Sequence, residues 1–195
     1  MRSIDISQEV FSARIYPGDP APEPMALQRI EDGGVCNLSA FSMCAHNGTH
    51  IDAPFHFLPE GKTVDTLGLE PFVGECFVAR REGELSEADA EGILRSAEAR
   101  QAARRILIAG KATVTAAAAR VFASAGILLL GNESQTVGPE NAPAEVHRIL
   151  LGRGVALLEG LVLDNVPEGR YLLSAAPLNL RGFDGAPCRA CLIEE

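Results

Sequence analysis

Cys44-Ala45-His46-Asn47-Gly48-Thr49-His50-Ile51-Asp52-Ala53-Pro54-Phe55-His56 carries three of the chain's four histidines and an aspartate. Two backbone readings compete for it. His46 and His50 are four apart, the spacing of two ligands on one helix face. A helix through both would lose about 1 kcal/mol at Gly48 and about 3 kcal/mol at Pro54. Asn47 also stands where a helical zinc motif of this spacing has its glutamate. An extended reading has no such cost. It puts His50 and Asp52 on one face, two residues apart, and Gly48 lets the backbone bend so that His46 converges on them. Imidazole nitrogens with a carboxylate form the donor set of a zinc-like divalent ion. Three histidines clustered about an aspartate, in a chain with one other, read as a metal site rather than as solvated loop residues.

Outward from this stretch, two more candidate donors lie far along the chain. His147 falls on a short helix from Pro143 to Leu151, proline suiting its first turn and Gly152 its end. Glu159 interrupts the apolar run Gly154-Val-Ala-Leu-Leu-Glu-Gly-Leu-Val-Leu163, which holds no lysine or arginine. A carboxylate buried there unpaired would cost several kcal/mol. A metal shared with His147 meets that need, and Glu133, at the end of another apolar strand, is the competing carboxylate.

Strands are expected at Ile4–Ile6, Val35–Phe41, Phe72–Ala79, Arg105–Ala109, Ile127–Leu130, Val155–Leu158, Tyr171–Leu173 and Arg189–Ile193, with turns at Tyr16–Pro20 and Leu58–Gly61. Ser86-Glu-Ala-Asp89 is a capping box opening a helix to about Ala103, and Thr115–Ala125 is a helix stopped by Gly126. Strands alternating with helices in the middle, and strands near both ends, predict an α/β, mixed-sheet fold. At 195 residues the chain reads as one domain, 1–195. A net charge of −9 and the lack of a basic stripe exclude nucleic acid and anionic membranes as partners. No apolar stretch approaches the roughly 20 residues of a membrane span, and the start lacks a signal-peptide run, so a cytoplasmic protein is expected. Five scattered cysteines make no disulfide framework; Cys188 and Cys191 read as half-buried thiols on a terminal strand.

His46-x-Gly48-Thr49-His50-x-Asp52-x-Pro54-x-His56 resembles the HxGTHxDxPxH motif of the cyclase family of metal-dependent hydrolases, which includes the bacterial kynurenine formamidases. The resemblance spans nearly the whole chain: Asp5-Ile6-Ser7, Pro17-Gly18-Asp19, His147 with Glu159, Gly169-x-Tyr171, Pro177-Leu178 and Asp184-Gly-Ala-Pro-x-Arg189 take part. It implies a swivelling β/β/α-type fold in a homo-oligomer, dimer or tetramer. It implies two zinc ions, with manganese as the alternative: His46, His50 and Asp52 on the first, and a bridging Asp52 with His147 and Glu159 on the second. His56 would be the catalytic acid and base, a task that suits a side chain with an ordinary pKa of about 6.5. Thr49 reads equally as a support for the ligands or as a turn residue.

The implied reaction is hydrolysis of a small-molecule amide, N-formylkynurenine or a related aryl formamide, by metal-activated water, a step of tryptophan catabolism. The alternatives are a cyclic amide or lactone, as in the isatin hydrolases, and a non-catalytic metal-binding protein of the same fold. The chain departs from the formamidases in having no tryptophan, with Tyr16 before the Pro-Gly-Asp turn, in Asn132 where aspartate is frequent, and in a shorter segment around Lys111. The pocket is expected around Tyr16, Phe55 and Phe57. A serine or cysteine hydrolase fits poorly, since no GxSxG occurs and the metal site claims every histidine.

Overall fold

Val73 to Glu159 alternates strands with helices, and the computed structural model, which describes residues 1–194, turns that run into the centre of one large sheet. The strands before it are β1 (Arg2–Asp5), β2 (Glu23–Gln28), β3 (Leu38–Ser42) and β4 (His50–Asp52). The alternating run holds β5 (Val73–Arg80), β6 (Gly83–Leu85), α1 (Glu87–Glu98), β7 (Arg105–Ala109), β8 (Ala112–Val114), α2 (Ala116–Ser124), β9 (Leu129–Asn132), α3 (Ala144–Leu151) and β10 (Ala156–Glu159). The chain closes with β11 (Gly169–Ser174), β12 (Gly185–Pro187) and β13 (Cys191–Glu194).

The nine-stranded sheet runs β1-β13-β11-β5-β7-β9-β10-β4-β12. Strands β5, β7, β9 and β10 are mutually parallel, and the strands on either side of them join antiparallel. Parallel strands need both faces covered, and the sequence supplies apolar residues to both. Phe77, Ala79, Ile106, Ile108, Leu130 and Leu157 pack under the three helices. The alternate residues Val78, Leu107, Leu129 and Leu158 join Ile6, Ile51 and Leu192 in a second core. This is the mixed α/β class expected.

Local signals set most boundaries. Ser86 and Asp89 close the capping box, and Thr115 caps α2 by accepting from the Ala118 N–H. Helix α1 ends at Glu98, short of the expected Ala103. The Ala102 N–H returns to the Ala97 carbonyl (2.9 Å) and Gln101 takes φ +57°, a left-handed stop made without glycine. Strand β9 begins at Leu129, two residues later than expected, and runs through Gly131 and Asn132. Both are poor strand formers, overridden because β7 and β10 flank them. Strands β2 and β3 form a separate two-stranded ribbon, and β6 pairs only with β8. Among the described residues no helix is long and apolar enough to cross a membrane.

Candidate metal centre

Strand β4 lies between β10 and β12, antiparallel to each, with Glu159 opposite His50 and Leu157 opposite Asp52. Directly paired residues share a face, and so do residues two apart, so this register turns His50, Asp52 and Glu159 the same way. His147 arrives from α3 on the sheet's helix side. All four side chains are buried. His50 Nε2 stands 3.3 Å from Asp52 Oδ1 and 3.5 Å from Glu159 Oε2. His147 Nε2 stands 3.1 Å from Glu159 Oε1 and 3.5 Å from Asp52 Oδ2.

Backbone carbonyls orient both rings. His50 Nδ1 meets the Gly48 carbonyl at 3.0 Å and His147 Nδ1 meets the Pro143 carbonyl at 2.9 Å. A carbonyl only accepts, so each Nδ1 carries the proton and each Nε2 faces the carboxylates. A neutral ring would then aim a lone pair at an anion. The arrangement requires either a second proton on each ring or a cation among them. With protons alone, burial favours the neutral rings, but Asp52 and Glu159 outweigh it and raise both His50 and His147 to about 10. Asp52 is held well below the ordinary carboxylate range: burial opposes this, and His147, His46 and His50 overcome it. Asp52 Oδ2 is buried without a hydrogen-bond partner, an orphan that a bound cation would satisfy. The residues present fit a divalent ion.

His46 sits at the edge of this cluster, its Nδ1 2.8 Å from Asp52 Oδ1 and its Nε2 2.9 Å from Asp184 Oδ2. Burial favours the neutral ring, yet Asp184 and Asp52 together raise it to about 9. His56 stacks on His46 with centroids 4.0 Å apart, and its Nδ1 lies 3.0 Å from the same Asp184 oxygen. Asp184, held below the usual carboxylate range by His46 and then by His56, is the site residue the sequence reading left without a role. Its signal was present in the Asp184-Gly-Ala-Pro segment, which leads into β12. Gly185 makes room for this contact, since a Cβ there would lie 2.7 Å from His46 Cε1.

The grouping of donor atoms differs from the expected ligand sets. His46, Asp52 and His56 offer atoms within 4.8 Å of one another, and so do His50, Asp52 and Glu159. The expectation placed His46 with His50 and kept His56 apart. The β4–β10 register instead draws His50 to Glu159. Asp52 is common to both groups.

Support comes from a strap across the motif. Thr49 donates to the Gly160 carbonyl (2.6 Å) and accepts from the Gln8 N–H (2.9 Å), touching none of the ligating atoms. Gly160 has φ +68°, and a Cβ there would lie 2.4 Å from the Gly48 carbonyl oxygen, so only glycine lets β10 exit this close to the histidine loop. Glu133 is elsewhere, accepting from the backbone N–H groups of Gly110 and Leu163. Cys191 opens β13 while Cys188 lies before that strand, not on it as expected; both are free thiols of intermediate exposure, and burial pushes Cys188 up to about 12.

The cluster opens into a cavity of about 240 Å³, whose walls include Tyr16, Asp19, Phe57, Gln135, Thr136 and Pro143. Phe55 corrects the expectation. The tight turn Pro54–His56 sends it outward, 40% exposed, while His56 and Phe57 line the cavity. On the opposite wall the Gln135 amide has both polar atoms buried and unpartnered, as is the Thr136 hydroxyl.

A parallel core flanked by antiparallel strands, with a histidine–carboxylate cluster on the inserted β4, defines a class of metal-site α/β proteins. The chain belongs to the cyclase family, whose profile matches residues 4–139. It is 35% identical to a kynurenine formamidase of Salinibacter ruber over 98% of this chain and 97% of that protein. A solved structure described as a potential metal-dependent hydrolase with cyclase activity superposes with a TM-score of 0.81 at 27% identity, covering 100% of this chain and 99% of the other. Isatin hydrolase A from Labrenzia aggregata shares the fold, with a TM-score of 0.80 at 22% identity, covering 98% of this chain and 93% of that one.

Proposed function

We propose that this chain is a metal-dependent amide hydrolase that cleaves the formyl C–N bond of N-formylkynurenine or a related aryl formamide. The observation that carries the reading is Asp52, shared by two groups of donors and left with an orphaned oxygen behind His46, His50 and His147, which line an aromatic-edged cavity. Its likeness to kynurenine formamidases supports the substrate class. His46, His50, Asp52, His147 and Glu159 would hold the metal, two zinc ions or manganese in their place. When bound, the metal supplies Lewis acidity at the scissile carbonyl and lowers the pKa of a water from about 15.7 towards 7.

The chain's own groups do the rest. Asp184 accepts from His56 Nδ1, which leaves Nε2 to take a proton from the attacking water and return it to the departing amine. His46 stacks beneath His56 and fixes its plane. Tyr16, its hydroxyl tied to the Glu140 carbonyl at 2.9 Å, and Phe57 give the aryl ring apolar walls. Gln135 and Thr136 present a donor and acceptors to the substrate's polar groups.

Turnover of N-formylkynurenine, formanilide, isatin and a simple lactone by zinc- or manganese-loaded protein tests the reading. Hydrolysis of the formamides supports it. Activity on isatin or the lactone alone would replace the formamide with a cyclic substrate, and activity on none would reject an amide hydrolase. Replacing Gln135 with leucine is expected to raise KM for N-formylkynurenine by roughly 10- to 100-fold, the worth of one to two buried hydrogen bonds. Formanilide lacks the polar side chain and should be affected much less. Equal losses on both substrates would show that Gln135 does not read that side chain.

A further inference from the structure

The walls of the cavity carry charge unevenly. Outside the donor cluster and His56, the lining is neutral except for one carboxylate, Asp19. Among the described residues no lysine or arginine lines the cavity, and Arg14, the nearest cation along the chain, is paired with Glu140. A tight turn places Asp19 there. Pro17 fixes the first central position, and Gly18, at φ +101°, takes the second, which glycine adopts without strain. The Asp19 N–H then returns to the Tyr16 carbonyl at 3.0 Å, so both ends of the turn line the cavity. The segment is held from two sides: the Tyr16 hydroxyl donates to the Glu140 carbonyl at 2.9 Å, and Asn47 donates to the Pro20 carbonyl at 3.2 Å.

Asp19 itself is half-buried and largely unsatisfied. Its side-chain partner is the Cys44 thiol, 3.6 Å from Oδ2, a weak donor to a group with about four acceptor sites. Among the described residues no cation pairs with it. A carboxylate drawn partly out of water with its charge uncompensated is unfavourable until a ligand brings the cation. The remaining polar groups of the cavity are neutral. They are the Gln135 amide and the hydroxyl of Thr136, which is 4% exposed, and both lack partners. These groups suit a carbonyl or an amine but offer no positive charge to a carboxylate.

We infer that Asp19 reads the charge of the substrate: the cavity takes an aryl compound whose side chain ends in an alkylammonium, and its wall has no match for a side-chain carboxylate. The inference rests on the aryl formamide reading for the ring and adds the charge of the rest of the molecule. N-formylkynurenine carries both charges on its side chain, and the ammonium is the one Asp19 recognises. An aryl formamide bearing the amine alone is therefore a substrate of the same class.

Calorimetric titration of the metal-loaded protein tests the inference by binding alone. The probes are kynuramine, an aminophenyl ketone ending in an ammonium, and its analogues with a carboxylate or a hydrogen in place of that ammonium. Kynuramine is expected to bind about 10-fold tighter than the neutral analogue, the worth of one charge-assisted hydrogen bond. Asp19→Asn keeps the shape without the charge, and should erase that advantage while leaving the neutral analogue's affinity unchanged. Equal affinities for kynuramine and the neutral analogue, tightest binding by the carboxylate analogue, or a preference surviving in folded Asp19→Asn would each overturn the inference. If Asp19→Asn does not fold, salt decides on the wild type. An advantage that shrinks between about 0.05 M and about 1 M sodium chloride supports Asp19, and a constant one overturns it. The formamide reading fails separately, by loss of turnover on every formamide, and amine-selective binding would then stand without it.

Discussion

Alanine in place of His56 is expected to lower turnover by about 10²- to 10⁴-fold, the range that a positioned proton carrier contributes, while the protein keeps most of its metal. The expectation rests on how His56 is held. Its ring is more exposed than His50 or His147, lines the cavity, and is oriented through one nitrogen by Asp184 and through its face by His46. The buried donors do not depend on it: Asp52 retains His46, His50 and His147 within 3.5 Å. Elemental analysis beside single-turnover kinetics separates the outcomes. Loss of metal in step with activity would make His56 a ligand, a possibility its grouping with His46 and Asp52 makes worth measuring. Asp184→Asn should reproduce part of the loss, because the ring keeps its place but loses its anionic partner.

Removing the metal with a chelator is expected to abolish turnover and to make stability depend on pH in a defined direction. In the metal-free protein His46 is raised to about 9 and His50 and His147 to about 10, against an ordinary value near 6.5. The stabilisation from these ion pairs is full below about 6.5 and is lost as pH rises through 9 to 10. Asp52 and Asp184 are shifted down, so their share is present above the ordinary carboxylate value near 3.8 and is lost in acid. The metal-free Tm should therefore fall steadily above pH 6.5, by about 2–4 °C for each kcal/mol lost in a chain of this size. The loaded protein behaves oppositely. Metal displaces the ring protons, so its binding tightens as pH rises and releases protons to the buffer. Thermal melts of both forms from pH 6 to 10 should diverge. Parallel curves would mean that the histidines and the metal do not compete for the same nitrogens.

The sequence made the chemistry legible because His46, His50, Asp52 and His56 lie so close together that any local bend gathers them. His147 and Glu159 were legible by a different route, a charge in an apolar strand that had to find a partner. What stayed hidden depends on register. Nothing local says that Glu159 pairs opposite His50, or that Asp184, 138 residues from His46, closes against both His46 and His56. Phe55 was misplaced for a related reason: a tight turn and a strand send adjacent side chains in different directions, and Pro54 permits either. The early stop of α1 escaped because alanine-rich sequence continues past Glu98 while the chain must already turn towards Arg105. Strand β12 was missed because three residues are too few for a periodic signal.

Strand β4 precedes every parallel strand in the sequence yet enters the sheet between β10, the last of them, and β12, which follows them all. The parallel centre can close through its own short crossovers, whereas β4 must wait for partners more than a hundred residues later. Long-range closure of this kind is slow, since loop entropy is lost before the contacts form. The donor cluster is thus among the last parts of the molecule to assemble on a growing or refolding chain. An ion present early would meet only scattered histidines, and capture would mark the completion of folding rather than its start.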